Sequence, residues 1–450
     1  MSTLRPRTAE TQYADGETVA AMPAVSTRQP LQRSPSVGVR RPEPSDGCAT
    51  QWAMPRFEPF TGLRYDSARV DLSMVIAPPY DVIDPLDRER LARHHSANAV
   101  RVELPEPDHR AGLDRYQHAA ALLQSWIDSG TLVADPGPRL YAYRMTVPNG
   151  RTSDGVIGAL AIDPDGAAGI LPHEQTLPKP KDDRLELLRA TATNLSPVWA
   201  LSLTPGFTTT FVSDRPADSA ATDDDGVLHQ LWVIDDPAVI AGVTEAAGAN
   251  PLVLADGHHR LETAMAYRAD AVTAGEPQRG ADLIMALVVE LSEDQLQVGA
   301  YHRALSGLPD GLDLVDTFSS WFDVTRVGEA TERNIAALGE SGSLSLVMPS
   351  GAWLLSPKDG TPEAAGSPLD ASMVALVIAE LPDHELAFHS TWEEAARAVA
   401  TEEAQAVILL RPVAIDQIAG WARAGRKMPP KSTYFHPKPR TGMVYRRLTD

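Results

Sequence analysis

The residues most able to do chemistry lie together in Asp256-Gly257-His258-His259-Arg260, directly after the apolar run 251–255 and before a helical pattern over 261–268. A strand, an abrupt polar turn and a helix start are the simplest reading. A helix start presents unbonded N–H groups and the positive end of the helix dipole, which suits an anion. Gly257 lets the backbone approach a ligand closely, and Arg260 adds a fork of donors matched to phosphate. Asp256, His258 and His259 supply acid/base or metal-binding groups at the same point. The same letters also fit an Asp cap followed by solvated histidines. Five polar or glycine residues straight after a buried strand are denser than capping requires, and strand carboxyl ends are where open α/β sheets hold ligands.

A second polar cluster runs His173-Glu174-Gln175-Thr176, then Lys179, Lys181, Asp182, Asp183 and Arg184. Carboxylates among lysines and arginines at a helix entry suit a nucleotide–metal site, with Lys and Arg facing phosphate while Glu or Asp holds Mg²⁺. A salt-bridged surface loop is the alternative. One His-Glu without a second histidine at helical spacing is no zinc-protease motif. Asn194, before Ser196-Pro197, offers an amide to orient a substrate, or serves as a turn residue. Tyr301-His302-Arg303 adds a His-Arg pair, for substrate or for structure. Residues 428–439, Met-Pro-Pro-Lys-Ser-Thr-Tyr-Phe-His-Pro-Lys-Pro, are stiffened by proline and carry Lys431, so they read as a preorganised lid over phosphate or as a packed arm.

These groups need elements to hold them. Pro78-Pro79 force an extended backbone that places Tyr80 and Asp81 on a rigid loop. Apolar spacing predicts helices over 85–94, 113–129, 184–192, 314–321, 371–381, 392–401 and 415–423. Strands are expected over 140–147, 156–162, 198–203, 228–234, 251–255, 281–291 and 406–410, with a hairpin over 343–348 and 353–355. Loops 214–226 and 357–369 read as exposed surface without a function. Residues 1–50, rich in Pro, Ser, Thr and Arg, read as a dispensable disordered leader. The expected division is that leader, an α/β region over 51–235, and a second over 236–450 carrying the Asp256–Arg260 turn.

Composition limits the possibilities. The 450 residues are 43% hydrophobic and 22% charged, a soluble globular balance with ample core. No apolar run is long enough to span a membrane. The single cysteine, Cys48, allows no internal disulfide, and with no signal-peptide pattern a cytoplasmic location is the simplest expectation. A net charge of −20 opposes broad nucleic-acid binding. The last thirty residues nevertheless hold eight basic side chains against one acid, Asp450, a cationic wall for a small anion or merely a solvated end. The oligomeric state is not legible.

Ala77-Pro-Pro-Tyr-Asp-Val-Ile83, His173-Glu-Gln-Thr176 with Lys181-Asp-Asp-Arg184, Ala255-Asp-Gly-His-His-Arg260, His302-Arg303 and Met428-Pro-Pro-Lys-Ser-Thr-Tyr-Phe435 together resemble the bacterial domain of unknown function 1015 family, over residues 55–450. The strand–turn–helix unit is more distantly similar to the ParB/sulfiredoxin-like fold, whose corresponding turn holds nucleotide phosphates and which includes free serine kinases. His258 stands where sulfiredoxins carry cysteine, so sulfinic-acid repair is not implied, and no helix-turn-helix of ParB type is found. The resemblance implies an α/β (mixed α+β) protein, mixed sheets with flanking helices, carrying that phosphate site. The expected activity is phosphoryl transfer to a small hydroxylated metabolite, free serine first, with ATP or ADP and Mg²⁺. Phosphate would lie on Asp256, Gly257, His258, His259, Arg260, Lys181, Arg184 and Lys431. Glu174 or Asp81, or else His258 or His259, would be the base. Mg²⁺ would sit on Glu174 and Asp256, and Tyr80, Thr176, Asn194, His302 and Arg303 would contact the substrate. A phosphatase of phosphoserine-like esters and a non-catalytic nucleotide- or anion-binding module are the alternatives.

Overall fold

Along the long strands of the central sheet most residues are apolar or small, and successive apolar residues enter different cores. Tyr141, Tyr143, Ile157, Trp199, Val253 and Leu287 face one core; Leu140, Ala142, Val156, Val198, Leu254 and Val288 face the other. Such a sheet must be covered on both sides. The computed structural model describes residues 54–162, 169–172, 174, 182–273, 279–341, 343–358 and 369–449. Its nine-stranded sheet runs in the order Ile170–Pro172, Leu252–Asp256, Val198–Ser202, Leu283–Glu290, Thr152–Ala161, Leu140–Thr146, Leu228–Ile234 and Ser219–Thr222, with Phe57–Glu58 also pairing with Thr152–Ala161. Parallel and antiparallel pairs alternate around Leu252–Asp256. Helices Pro237–Gly248 and His258–Thr273 cover one face through Val243, Ala247, Leu261 and Ala264.

An antiparallel six-stranded sheet follows, in the order Phe322–Gly328, Gly351–Pro357, Ser345–Met348, Ala406–Leu409, His302–Ser306 and Glu385–His389. A four-stranded sheet joins Leu132–Ala134, Gly62–Tyr65, Tyr445–Arg447 and Thr193–Asn194, so the carboxyl-terminal segment returns to the first described strands. The protein is a mixed α/β structure with flanking helices, as the sequence predicts. The nine-stranded sheet runs across the expected division at 235/236, since Leu252–Asp256 and Leu283–Glu290 pair with strands that precede it. The leader and most of the 357–369 loop fall outside the described residues. Among the described residues no helix is long and apolar enough to cross a membrane.

His302 marks a pH liability in the second sheet. It is buried, its Nδ1 accepts the Leu410 N–H at 3.1 Å, and burial beside Arg303 and His389 lowers its pKa from 6.5 to about 4. The folded protein therefore binds this proton less readily than the unfolded chain. The neutral ring stabilises fully above about pH 6.5, and that contribution, on the order of 3 kcal/mol, is lost as pH falls toward 4. Melting temperature should drop across this interval, and His302→Asn should flatten the drop. An unchanged slope would show that His302 is not its source.

Candidate functional site

The apolar strand Leu252–Asp256 ends in an irregular pairing with Val198–Ser202, in which the register slips between Leu254 and Asp256 so that Asp256 lies opposite Trp199. Such slips re-aim a side chain at a sheet end. Gly257 then adopts φ +88°, and a Cβ there would come within 3.0 Å of Arg260 Nε and 3.1 Å of Val198 Cα. Both the conformation and the space require glycine. The helix His258–Thr273 starts immediately, and Leu261 and Ala264 seat it on the sheet. Its first-turn amides lie at the strand's carboxyl end.

The turn lines a cavity of about 90 Å³ together with Tyr80, Asp81, Glu174, Tyr301, Lys431 and Lys438. Asp81, Glu174, His258 and Lys431, spread over 350 residues of sequence, thus meet in one pocket. The cavity shares Asp81, Tyr301, Lys431 and Lys438 with an adjoining chamber of about 640 Å³, walled also by Arg90, Asp223–Asp225, Phe388, Tyr434 and Arg440. That volume is within the range of small-molecule and cofactor sites.

Several groups do something other than expected. Arg260 does not reach into the cavity as a phosphate fork: its Nη1 donates to the Pro197 carbonyl at 2.5 Å and its Nη2 to Asp256 Oδ2 at 2.6 Å. Lys438 Nζ donates to Asp256 Oδ1 at 2.6 Å. Burial would raise the Asp256 carboxyl, but Lys438 and Arg260 outweigh it and hold the group far below the usual carboxylate range. Burial would likewise lower Lys438, and Asp256 and Asp81 keep it charged. Glu174 accepts the Lys431 N–H at 2.7 Å through Oε1 and the Ser432 N–H at 3.1 Å through Oε2. It thereby clamps the 428–438 strap, and Arg303 Nη2 holds the same strap by donating to the Lys431 carbonyl at 2.9 Å. Lys431 is kept at φ +58°, with Nζ 4.4 Å from the centre of the Tyr301 ring.

Glu174 and Asp256 therefore do not fit the expected Mg²⁺ pair, since the carboxylate oxygens of both are engaged by protein donors. Among the described residues no three His, Cys, Asp or Glu side chains cluster to hold a metal. Asp81 is different. It is exposed, lines both cavities, and its carboxylate has no hydrogen-bond or ion-pair partner among the described residues. His258 and His259 line the inner cavity, and His259 Nδ1 lies 3.7 Å from Glu262 Oε2.

The remaining candidates lie elsewhere. Arg184 donates to Asp183 and to the Glu103 carbonyl and stacks on Tyr80 at 4.6 Å, outside the turn's cavity. Asn194 Oδ1 accepts from the Met285 N–H and from Arg446, a structural task. His302 and Arg303 serve the second sheet and the strap rather than a substrate, the structural alternative for that pair. Thr176 and Lys181 lie outside the described residues, as do His173, Gln175 and Lys179. Tyr80 lines the cavity, and burial raises its phenol to about 12. Sequence reasoning passed over Lys438 and Tyr301 as pocket groups. It also took 214–226 for idle surface, whereas Asp223 pairs with Arg440 and His229 in the chamber wall. The clustering of basic residues near the carboxyl end was the available signal for Lys438.

The clamp carries its own prediction. Glu174→Gln turns an NH₂ group toward backbone donors, and loss of such charge-assisted bonds costs about 1–3 kcal/mol. Limited proteolysis should cut the 426–433 stretch faster in the variant. Equal cleavage rates would remove the clamp from the account.

A family model described as "Protein of unknown function (DUF1015)" matches residues 57–379. No curated protein matches the chain. Among solved structures, a free serine kinase variant in complex with AMP is 16% identical at a TM-score of 0.34, covering 63% of this chain and 88% of that one. A conserved hypothetical protein from Pyrococcus furiosus is 15% identical at 0.36, covering 67% and 98%. C-terminally truncated SbnI from Staphylococcus aureus is 12% identical at 0.35, covering 64% and 86%. These likenesses are too distant to assign chemistry.

Proposed function

The chain belongs to the DUF1015 family of proteins of unknown function, and from that premise we propose that it transfers a phosphoryl group between a nucleotide and a small hydroxylated metabolite. The observation that carries the reading is the joint lining of one cavity by the Gly257 helix start, Lys431, Lys438 and the Asp81 carboxylate, which has no partner among the described residues. The first-turn amides and the two ammonium groups suit the charge of a terminal phosphate. The adjoining 640 Å³ chamber has room for the rest of ATP or ADP. Asp81 accepts the acceptor's hydroxyl proton as its oxygen attacks phosphorus, and the shortened nucleotide leaves with the electron pair of the broken P–O bond. His258 and His259 are the alternative acid/base groups. Charge on the transferred group is met by Lys431 and the helix amides, with Lys438 held beside them on Asp256. Free serine is the leading acceptor, carried by the motif resemblance. The same groups would hydrolyse a phosphate ester if water replaced the acceptor.

A non-catalytic anion-binding module is the second reading, favoured by the engagement of Asp256 and Glu174 in fixed contacts. The two separate on Asp81→Asn with radiolabelled ATP or ADP and a panel of hydroxyl-bearing amino acids. Transfer lost with nucleotide binding retained supports the enzyme. Nucleotide binding without turnover in the wild-type protein supports the module.

A further inference from the structure

Behind Tyr80 lies a second cavity of about 60 Å³, which shares Tyr80 and Arg260 with the phosphate pocket and is otherwise walled by Glu103, Arg184, Asn194 and Thr263 over an apolar floor. It is large enough for a few atoms, since one water needs roughly 10–15 Å³. Glu103 ends the short helix Val100–Glu103 and is only 3% exposed. Its Oε1 accepts the Ser196 hydroxyl at 3.2 Å, while Oε2 is buried without a partner among the described residues.

The two nearby guanidinium groups do not supply that partner. Arg184 pairs with Asp183, and Arg260 with Asp256 and the Pro197 carbonyl. Arg184 touches Glu103 only through the backbone carbonyl. Burial pushes the Glu103 carboxyl up, as expected of an acid whose charge is not fully compensated. A buried carboxylate with an open acceptor favours a cationic donor over an anion or an apolar group.

We infer that this cavity is a subsite for a primary ammonium group, bound by Glu103 and carried on the same small molecule whose hydroxyl faces Asp81. The assignment of both groups to one acceptor rests on the phosphoryl-transfer reading, and it narrows the acceptor to an amino alcohol or a hydroxy amino acid. Tyr80 lines both cavities, with Arg184 over its ring at 4.6 Å, and its neighbour Asp81 lines the phosphate pocket.

Calorimetric titration of the full chain with ethanolamine, L-serine and glycolate tests this. The two amines should bind, glycolate should bind at least tenfold more weakly, and Glu103→Gln should weaken the amines at least tenfold. Thr263 lines the same cavity, and Thr263→Leu fills it without removing the carboxylate and should produce the same loss if Glu103→Gln fails to fold. Amine affinities equal in wild type and both variants would overturn the inference. So would a crystal grown at saturating L-serine that shows only ordered water against Glu103. ADP titration of the wild-type protein reads the phosphate pocket separately. Failure to bind ADP sinks the transfer reading, whereas ADP binding with Glu103-independent amine affinity sinks the ammonium subsite alone.

Discussion

Asp81→Asn is expected to reduce phosphoryl transfer by roughly 10²–10⁴-fold, the usual contribution of a positioned general base, while leaving the fold intact. Asp81 is exposed on the loop after Pro78-Pro79, in a short helical turn spanning Tyr80–Val82. Its side chain has no partner among the described residues whose loss would destabilise the protein. Asparagine preserves shape and removes the proton acceptor. Melting should stay within about 0.5 kcal/mol of wild type, and ADP affinity should hold or rise slightly as a negative charge leaves the cavity. A variant that keeps full activity would move the base to His258 or His259.

The second large effect separates two cations that look alike in sequence. Arg260→Ala should destabilise by about 3 kcal/mol, because it leaves a buried carbonyl and half of an ion pair unmet. Arg260 Nη1 and Nη2 contact Pro197 and Asp256, and Nε lies against Gly257. Loss of ligand binding in that variant should follow the fraction folded. Lys431→Met keeps the aliphatic stem and removes a charge facing the cavity. It should weaken ADP binding tenfold to a hundredfold, about 1.5–3 kcal/mol, with melting little changed. The reverse pattern, a folded Arg260→Ala that has lost affinity and a Lys431→Met that has not, would return the phosphate contact to Arg260.

Local pattern was enough for elements that bury one stripe or two faces. The strands Val198–Ser202, Leu228–Ile234 and Leu252–Asp256 fall within about a residue of expectation, as do the helices Pro85–His94 and Ile415–Arg423. The strand Glu385–His389 was not legible. It is mostly exposed and is held in place by pairing with His302–Ser306, 79 residues away at its first register pair, Ser306 with Glu385, and 87 at the other end, His302 with His389. Helix Pro237–Gly248 was not among the expected elements, although it carried a readable start, Asp236 capping the Ala238 N–H with proline in the first turn. The turn at Gly257 was visible because its chemistry is local. The roles of Arg260, Glu174 and Asp256 were not, because they depend on Pro197, the strap amides and Lys438, and no spacing rule links Asp256 to a lysine 182 residues on.

Phosphorus NMR of the wild-type protein with ATP or ADP, magnesium salt and L-serine tests the central claim most directly. A phosphomonoester resonance should grow as the terminal nucleotide phosphate declines, and it should be absent in Asp81→Asn. Nucleotide resonances unchanged over the same period with wild-type protein, across the whole panel of hydroxyl-bearing amino acids, would contradict phosphoryl transfer at the Gly257 turn.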